Sequence, residues 1–104
     1  MTLEDLKQLP LLQTATIAEA VKDEATLFYV ISCVNRFYSG DYGEVCKEDI
    51  DSNNYDLSTG YGHVLARYKA SGRLERDIYI ESHFDKDLTG TEYNNTLIMY
   101  PEER

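Results

Sequence analysis

Between residues 26 and 38 apolar side chains return every three or four positions: Leu27, Val30 and Ile31, Val34, then Phe37 and Tyr38. That spacing draws one apolar stripe and predicts a core helix over 26–38. Asp23 or Thr26 can cap its start, and Gly40 supplies a stop. From Gly62 onward the period drops to two. Val64, Ala66 and Tyr68 alternate with Leu65, Arg67 and Lys69; Ile78, Ile80 and Phe84 alternate with Tyr79, Glu81 and His83; Leu97 and Met99 alternate with Ile98 and Tyr100. These runs predict three strands, each with one packed face and one partly wet face. Connections at 70–73 and 85–95 let consecutive strands pair as an antiparallel meander.

The remaining segments are less regular. Residues 3–9 fit a short helix halted by Pro10, or a tail. Residues 11–16 read as a brief extended stretch, and 17–22 favour helix. In 44–58, Cys46, Ile50 and Leu57 draw a weak stripe against the poor helix propensity of Asp51-Ser52-Asn53-Asn54, which predicts a short exposed helix over 47–57. Helices first and strands second predict one α+β domain over 1–104. The expected architecture has two layers, N-terminal helices on a C-terminal three-stranded antiparallel sheet, with residues 1–13 a candidate for a loosely attached segment.

Charge narrows the partners. The chain has 19 Asp and Glu against 10 Lys and Arg, a net charge of −9. Six of the acids fall within 41–58 beside the single base Lys47, whereas Arg67, Lys69, Arg73 and Arg76 form the only basic cluster. Such a field repels phosphates and anionic membranes, so a basic protein partner is expected and direct nucleic acid or membrane binding is not. Early acids and the lack of a long apolar run predict neither a signal peptide nor a membrane span, hence a cytoplasmic protein. Cys33 on the core helix reads as a small buried hydrophobe and Cys46 as a thiol among carboxylates, so no disulfide framework is expected.

Candidate chemistry is sparse, and no cofactor is expected. Asp85-Lys86-Asp87-Leu88-Thr89-Gly90 starts like an EF-hand loop, but position twelve is Thr96 where a bidentate Glu is needed, and a strand follows. Asp49-Ile50-Asp51-Ser52-Asn53 matches that loop less well still. His63 and His83 stand on different predicted strands with no further ligand at zinc spacing. They read as strand residues at a wet edge; His83 with Asp85, or Cys46 with His63, is the catalytic alternative. Gly40-Asp41-Tyr42-Gly43 carries an acid where a phosphate cradle needs bare backbone donors, so its expected work is to end the core helix and tuck Tyr42 under the acidic segment.

The order of motifs is more specific than any one of them. Gly40-Asp41-Tyr42-Gly43 is followed by an acidic helix with Asp49 and Asn53 or Asn54, the strand Val64-Leu65-Ala66-Arg67-Tyr68, then Asp77-Ile78-Tyr79-Ile80-Glu81, and finally Asn95-Thr96-Leu97-Ile98-Met99-Tyr100-Pro101-Glu102-Glu103. Over 14–104 this resembles a group of small uncharacterised proteins of bacterial plasmids and other mobile elements. Their pattern is Gly-Asp-Trp-Gly, an Asn-bearing acidic segment, a strand pair and a terminal Thr-Thr-Val-Leu-Leu-Pro-Glu-Glu-Tyr. Here Tyr42 replaces the Trp, 83–95 is longer than the usual connection, and Arg104 stands at the terminal Tyr.

Small size, strong acidity and many tyrosines, together with the mobile-element setting that the resemblance implies, lead to the expectation of a non-enzymatic accessory protein that works by binding another protein. In its sharper form it is an acidic inhibitor of a host defence nuclease, of the anti-restriction or anti-CRISPR type. The expected partner surface is Glu44, Glu48, Asp49, Asp51, Tyr55, Asp56, Asp85, Asp87 and Glu92, standing in for phosphates in a basic groove. The alternative is a small hydrolase or nucleotide-handling enzyme using a His/carboxylate pair.

Overall fold

A computed structural model describes all of residues 1–104. Its elements run α1 (Leu3–Leu6), β1 (Leu11–Gln13), α2 (Ala15–Ala20), α3 (Glu24–Tyr38), α4 (Lys47–Thr59), β2 (Tyr61–Tyr68), β3 (Ile78–Asp85) and β4 (Asn95–Met99), closed by a 3-10 turn at Pro101–Glu103.

The fold is α+β. As the connections allow, β2 pairs antiparallel with β3 and β3 with β4. The sheet is nevertheless mixed and four-stranded, in the order β1-β4-β3-β2, because Leu11–Gln13 adds a strand parallel to β4. This corrects the expectation of three antiparallel strands. A three-residue strand has no alternation to read, and its partner lies at the far end of the sequence. Even-numbered strand residues Val64, Ala66, Tyr68, Ile78, Ile80, Phe84 and Ile98 join Leu6, Ile17, Val30, Cys33 and Phe37 of the helices in one buried cluster. Residues 1–13, read from sequence as loosely attached, are held at three points. Leu6 is fully buried, β1 is paired, and the Met1 ammonium donates to the Leu57 carbonyl at 2.9 Å.

Helix α3 starts where the Asp23 carboxylate accepts from the Thr26 N–H at 3.0 Å and hydroxyl at 2.7 Å. Asp23 is therefore the cap. The helix ends in a Schellman turn: Gly40 N–H donates to the Phe37 carbonyl and Asp41 N–H to the Arg36 carbonyl, with Gly40 at φ 86°. Helix α4 runs two residues past the expected 57 and stops at Gly60, φ 76°. No helix is long and apolar enough to cross a membrane.

Strand β2 is the sheet's outer strand on its side, and odd-numbered residues turn their backbone groups outward. Side chains and turns occupy most of them. The Asn53 amide, 2% exposed, donates Nδ2–H to the Leu65 carbonyl and accepts from the Leu65 N–H, both at 2.9 Å. Asp56 Oδ2 accepts from His63 N–H at 3.0 Å. Glu44 N–H donates to the Arg67 carbonyl and Arg67 N–H to the Tyr42 carbonyl. The part of the edge at Leu65 and Arg67, which would otherwise invite strand addition, is thereby closed.

Candidate functional site

Strand parity places the chemistry. Because the core takes the even positions, His63 on β2 and Glu81 and His83 on β3 share the opposite face. The register sets His63 directly across from His83, and their ring centroids lie 6.1 Å apart. Glu81 is only 1% exposed although it belongs to this outward face. His83 Nε2 stands 2.9 Å from its Oε1, and Arg104 donates Nε–H and Nη2–H to its Oε2 at 3.0 and 2.7 Å. A buried carboxylate is stable only when paired in this way. His63 Nδ1 lies 3.9 Å from Asp56 Oδ2, beyond hydrogen-bond length.

Both histidines line an open groove of about 790 Å³ with Asp56, Asp85 and Glu92. Tyr61, Leu88 and Tyr93 complete its exposed rim, and no Lys or Arg belongs to its wall. Asn94 shapes the far side: its Oδ1 accepts from Asp85 N–H at 3.0 Å and its Nδ2–H donates to the Leu88 carbonyl at 3.1 Å. A smaller hollow continues past the histidines to Glu81, Leu97, Met99 and Arg104.

Of the residues expected to meet a partner, the fold therefore gathers Asp56, Asp85 and Glu92. Glu44, Glu48, Asp49, Asp51 and Tyr55 lie outside the groove on or before α4, and Asp87 on the 85–90 turn is not in its wall. Asp87 N–H donates to Asp85 Oδ1 at 2.9 Å, so that turn is built by its own backbone and carboxylate. No three His, Cys, Asp or Glu side chains converge at metal-ligand geometry. Sequence reasoning did not single out Tyr61, Leu88, Tyr93, Glu81 or Arg104. The odd numbers of Tyr61, His63, Glu81, His83 and Asp85 against an even-numbered core were the available signal for the strand residues.

The Gly40-Asp41-Tyr42-Gly43 turn lies outside this groove and is a structural joint. Tyr42 is buried edge-on against Phe37, and the Tyr68 hydroxyl donates to the Asp41 carbonyl at 2.8 Å. Burial holds the Tyr68 phenol protonated far above its ordinary range. Hydrogen bonds from Arg36, then from the Gly43 N–H, hold the Asp41 carboxyl below its usual value. At the other end of the chain, burial pushes the Glu103 carboxyl up. Hydrogen bonds from Thr16, the Tyr100 N–H and Thr14 outweigh that push and lower it overall.

Both carboxyls are depressed, so the stability they add is present above the ordinary carboxylate range. It is lost as the pH falls through their folded values. The unfolding midpoint should drop between about pH 5 and about pH 3, with a shallower slope in Asp41→Asn/Glu103→Gln. Equal slopes in the two proteins, followed by circular dichroism, would refute the assignment.

Comparison of the chain with protein-family models, with curated proteins and with solved structures finds no match.

Proposed function

We propose that this chain is a non-enzymatic accessory protein of a bacterial mobile element, and that it acts by receiving a Lys- or Arg-bearing segment of a basic protein in the histidine groove. The observation that carries this reading is the groove's lining: three carboxylates, exposed tyrosines and no cation. Carboxylates attract the ammonium or guanidinium, and tyrosine faces add cation–π attraction of about 0.5–1 kcal/mol each at exposed sites. A nuclease's nucleic-acid channel offers such a segment, which is the inhibitor form of the proposal. The biological setting is inferred from the resemblance of the motif order to that of mobile-element proteins. In this reading the helices form one layer on the even-numbered face of the sheet, which leaves the odd-numbered face and its groove to the partner.

One contact favours a second reading. His83 held by buried Glu81, opposite His63, is the arrangement of a general acid/base pair, and a hydrolase would use it on a bound substrate. The groove's acids steer such a substrate toward cationic or neutral groups and away from phosphates.

A single titration separates the two. An oligo-arginine peptide added to labelled protein should shift the amide signals of Tyr61, His63 and Tyr93. Asp85→Asn/Glu92→Gln should weaken binding about tenfold, and about 0.5 M NaCl should largely abolish it. Shifts confined to α4, or binding indifferent to salt, would sink the groove reading. Cleavage of the peptide that disappears in His83→Ala would replace binding by hydrolysis.

A further inference from the structure

Helix α3 buries Thr26, Val30, Cys33 and Phe37 and presents a second apolar stripe to solvent. Phe28 is 61% exposed, Ile31 46% and Leu27 38%. A solvated helix face ordinarily carries charge, and clustered exposed apolar groups mark a contact surface. Residues 25–35 contain no charged side chain, in a chain of net charge −9.

The pattern of this face identifies its occupant. Glu24, Leu27 and Phe28 on one half, and Ile31, Ser32 and Asn35 on the other, are all exposed. The outward positions 24, 28, 31 and 35 repeat with spacings of four, three and four, the spacing of a paired-helix seam, with Phe28 and Ile31 as its apolar centre. Two copies of α3 set antiparallel about an axis between residues 29 and 30 bring Phe28 onto Ile31 of the other copy. The same operation sets Leu27 on Ser32 and Glu24 on Asn35. The apolar pair Phe28–Ile31 then lies at the centre of the seam, and the one carboxylate faces an amide that can donate to it. Arg36, just beyond the seam, is already bound to Asp41 at 2.7 Å and adds no free charge.

We propose that α3 is a self-complementary interface through which two copies of this chain form a two-fold dimer. A two-fold contact through the acidic face of α4 or through the groove would instead set carboxylates against their own copies. Here the only charged pair of positions is Glu24 and its copy, held apart at opposite ends of the seam. Such an isologous contact closes on itself and stops at two subunits. It uses none of the groove's residues, so it stands independently of the function proposed above.

Sedimentation velocity on the full chain from about 1 to about 500 μM tests it, since a reversible dimer shifts with protein concentration. The unaltered chain should pass from monomer to dimer within that range. Phe28→Glu puts a carboxylate twice into the seam and should weaken dimerisation about 100-fold. Phe28 is largely exposed, so the monomer's thermal midpoint at low concentration should barely change. Asn35→Lys places an ammonium against Glu24 at both ends and should tighten the dimer about two- to tenfold at low salt, with the gain erased at about 0.5 M NaCl. A monomer across the whole range, or a dimer that Phe28→Glu leaves intact, overturns the proposal. Weakening by Asn35→Lys at low salt overturns the antiparallel register.

Discussion

Gly43→Ala should cost roughly 3 kcal/mol or more of folding stability, a large share of the about 5–15 kcal/mol that holds a domain together. Gly43 sits at φ 70°, where a side chain is strained. Strain is the smaller part. A Cβ there would overlap the Arg67 carbonyl oxygen and crowd the Tyr68 ring, because this turn lies directly against β2 to make its bridge. Backbone cannot yield as a long side chain can, so the turn must lift away. The Glu44–Arg67 and Tyr42–Arg67 hydrogen bonds would then break together. Gly90→Ala is the control. Gly90 also has positive φ, 111°, but a Cβ would meet nothing closer than 3.9 Å. Its cost should stay near the roughly 1–2 kcal/mol of backbone strain alone. Chemical denaturation of both variants measures the difference; equal losses would mean the close approach to β2 carries no weight.

Asn53→Asp exchanges one atom group and should cost about 3–5 kcal/mol at neutral pH. The amide works because it presents a donor to the Leu65 carbonyl and an acceptor to the Leu65 N–H, as a neighbouring strand would. A carboxylate keeps the acceptor and turns its second oxygen on the Leu65 carbonyl, in a site 2% exposed. Two acceptors then face each other without a proton, and a charge is buried without a counter-ion. The protonated acid can donate again. The introduced carboxyl should therefore titrate above its unfolded value, so the lost stability returns as the pH falls. That trend is opposite to the acid weakening expected from Asp41 and Glu103. A variant whose deficit is the same at about pH 4 and about pH 7 would contradict the donor–acceptor account.

These two residues also show what the chain discloses and what it conceals. Helix α3 and strands β2, β3 and β4 were legible because their periods are local: a stripe of three and four, an alternation of two. The odd-numbered face that carries both histidines followed from the same parity. What stayed hidden depends on pairing across distance. The two asparagines at 53 and 54 are indistinguishable as letters, and only the approach of α4 to β2 buries one and exposes the other. The groove needed the register of β2 against β3 across a nine-residue connection, together with a loop shaped by Asn94. Glu81 read as a wet strand residue until Arg104, 23 positions on, covered it. Along the sequence the acids look like one surface, yet α4 spreads several of them away from the groove that holds Asp56.

The parallel pairing of β1 with β4 has a consequence for how the chain is made. Leu11, Leu12 and Gln13 find their partners at Thr96, Leu97 and Ile98. A ribosome delivers residues at roughly 5–20 per second, so the first strand waits several seconds for the last. During that interval α3 has emerged with Val30, Cys33 and Phe37 uncovered, since the strand residues that bury them have yet to appear. The nascent chain thus holds a sticky helix in the open until its sheet arrives. Closure of the sheet waits on β4, and a chaperone's opportunity lies in the seconds between α3 and β4.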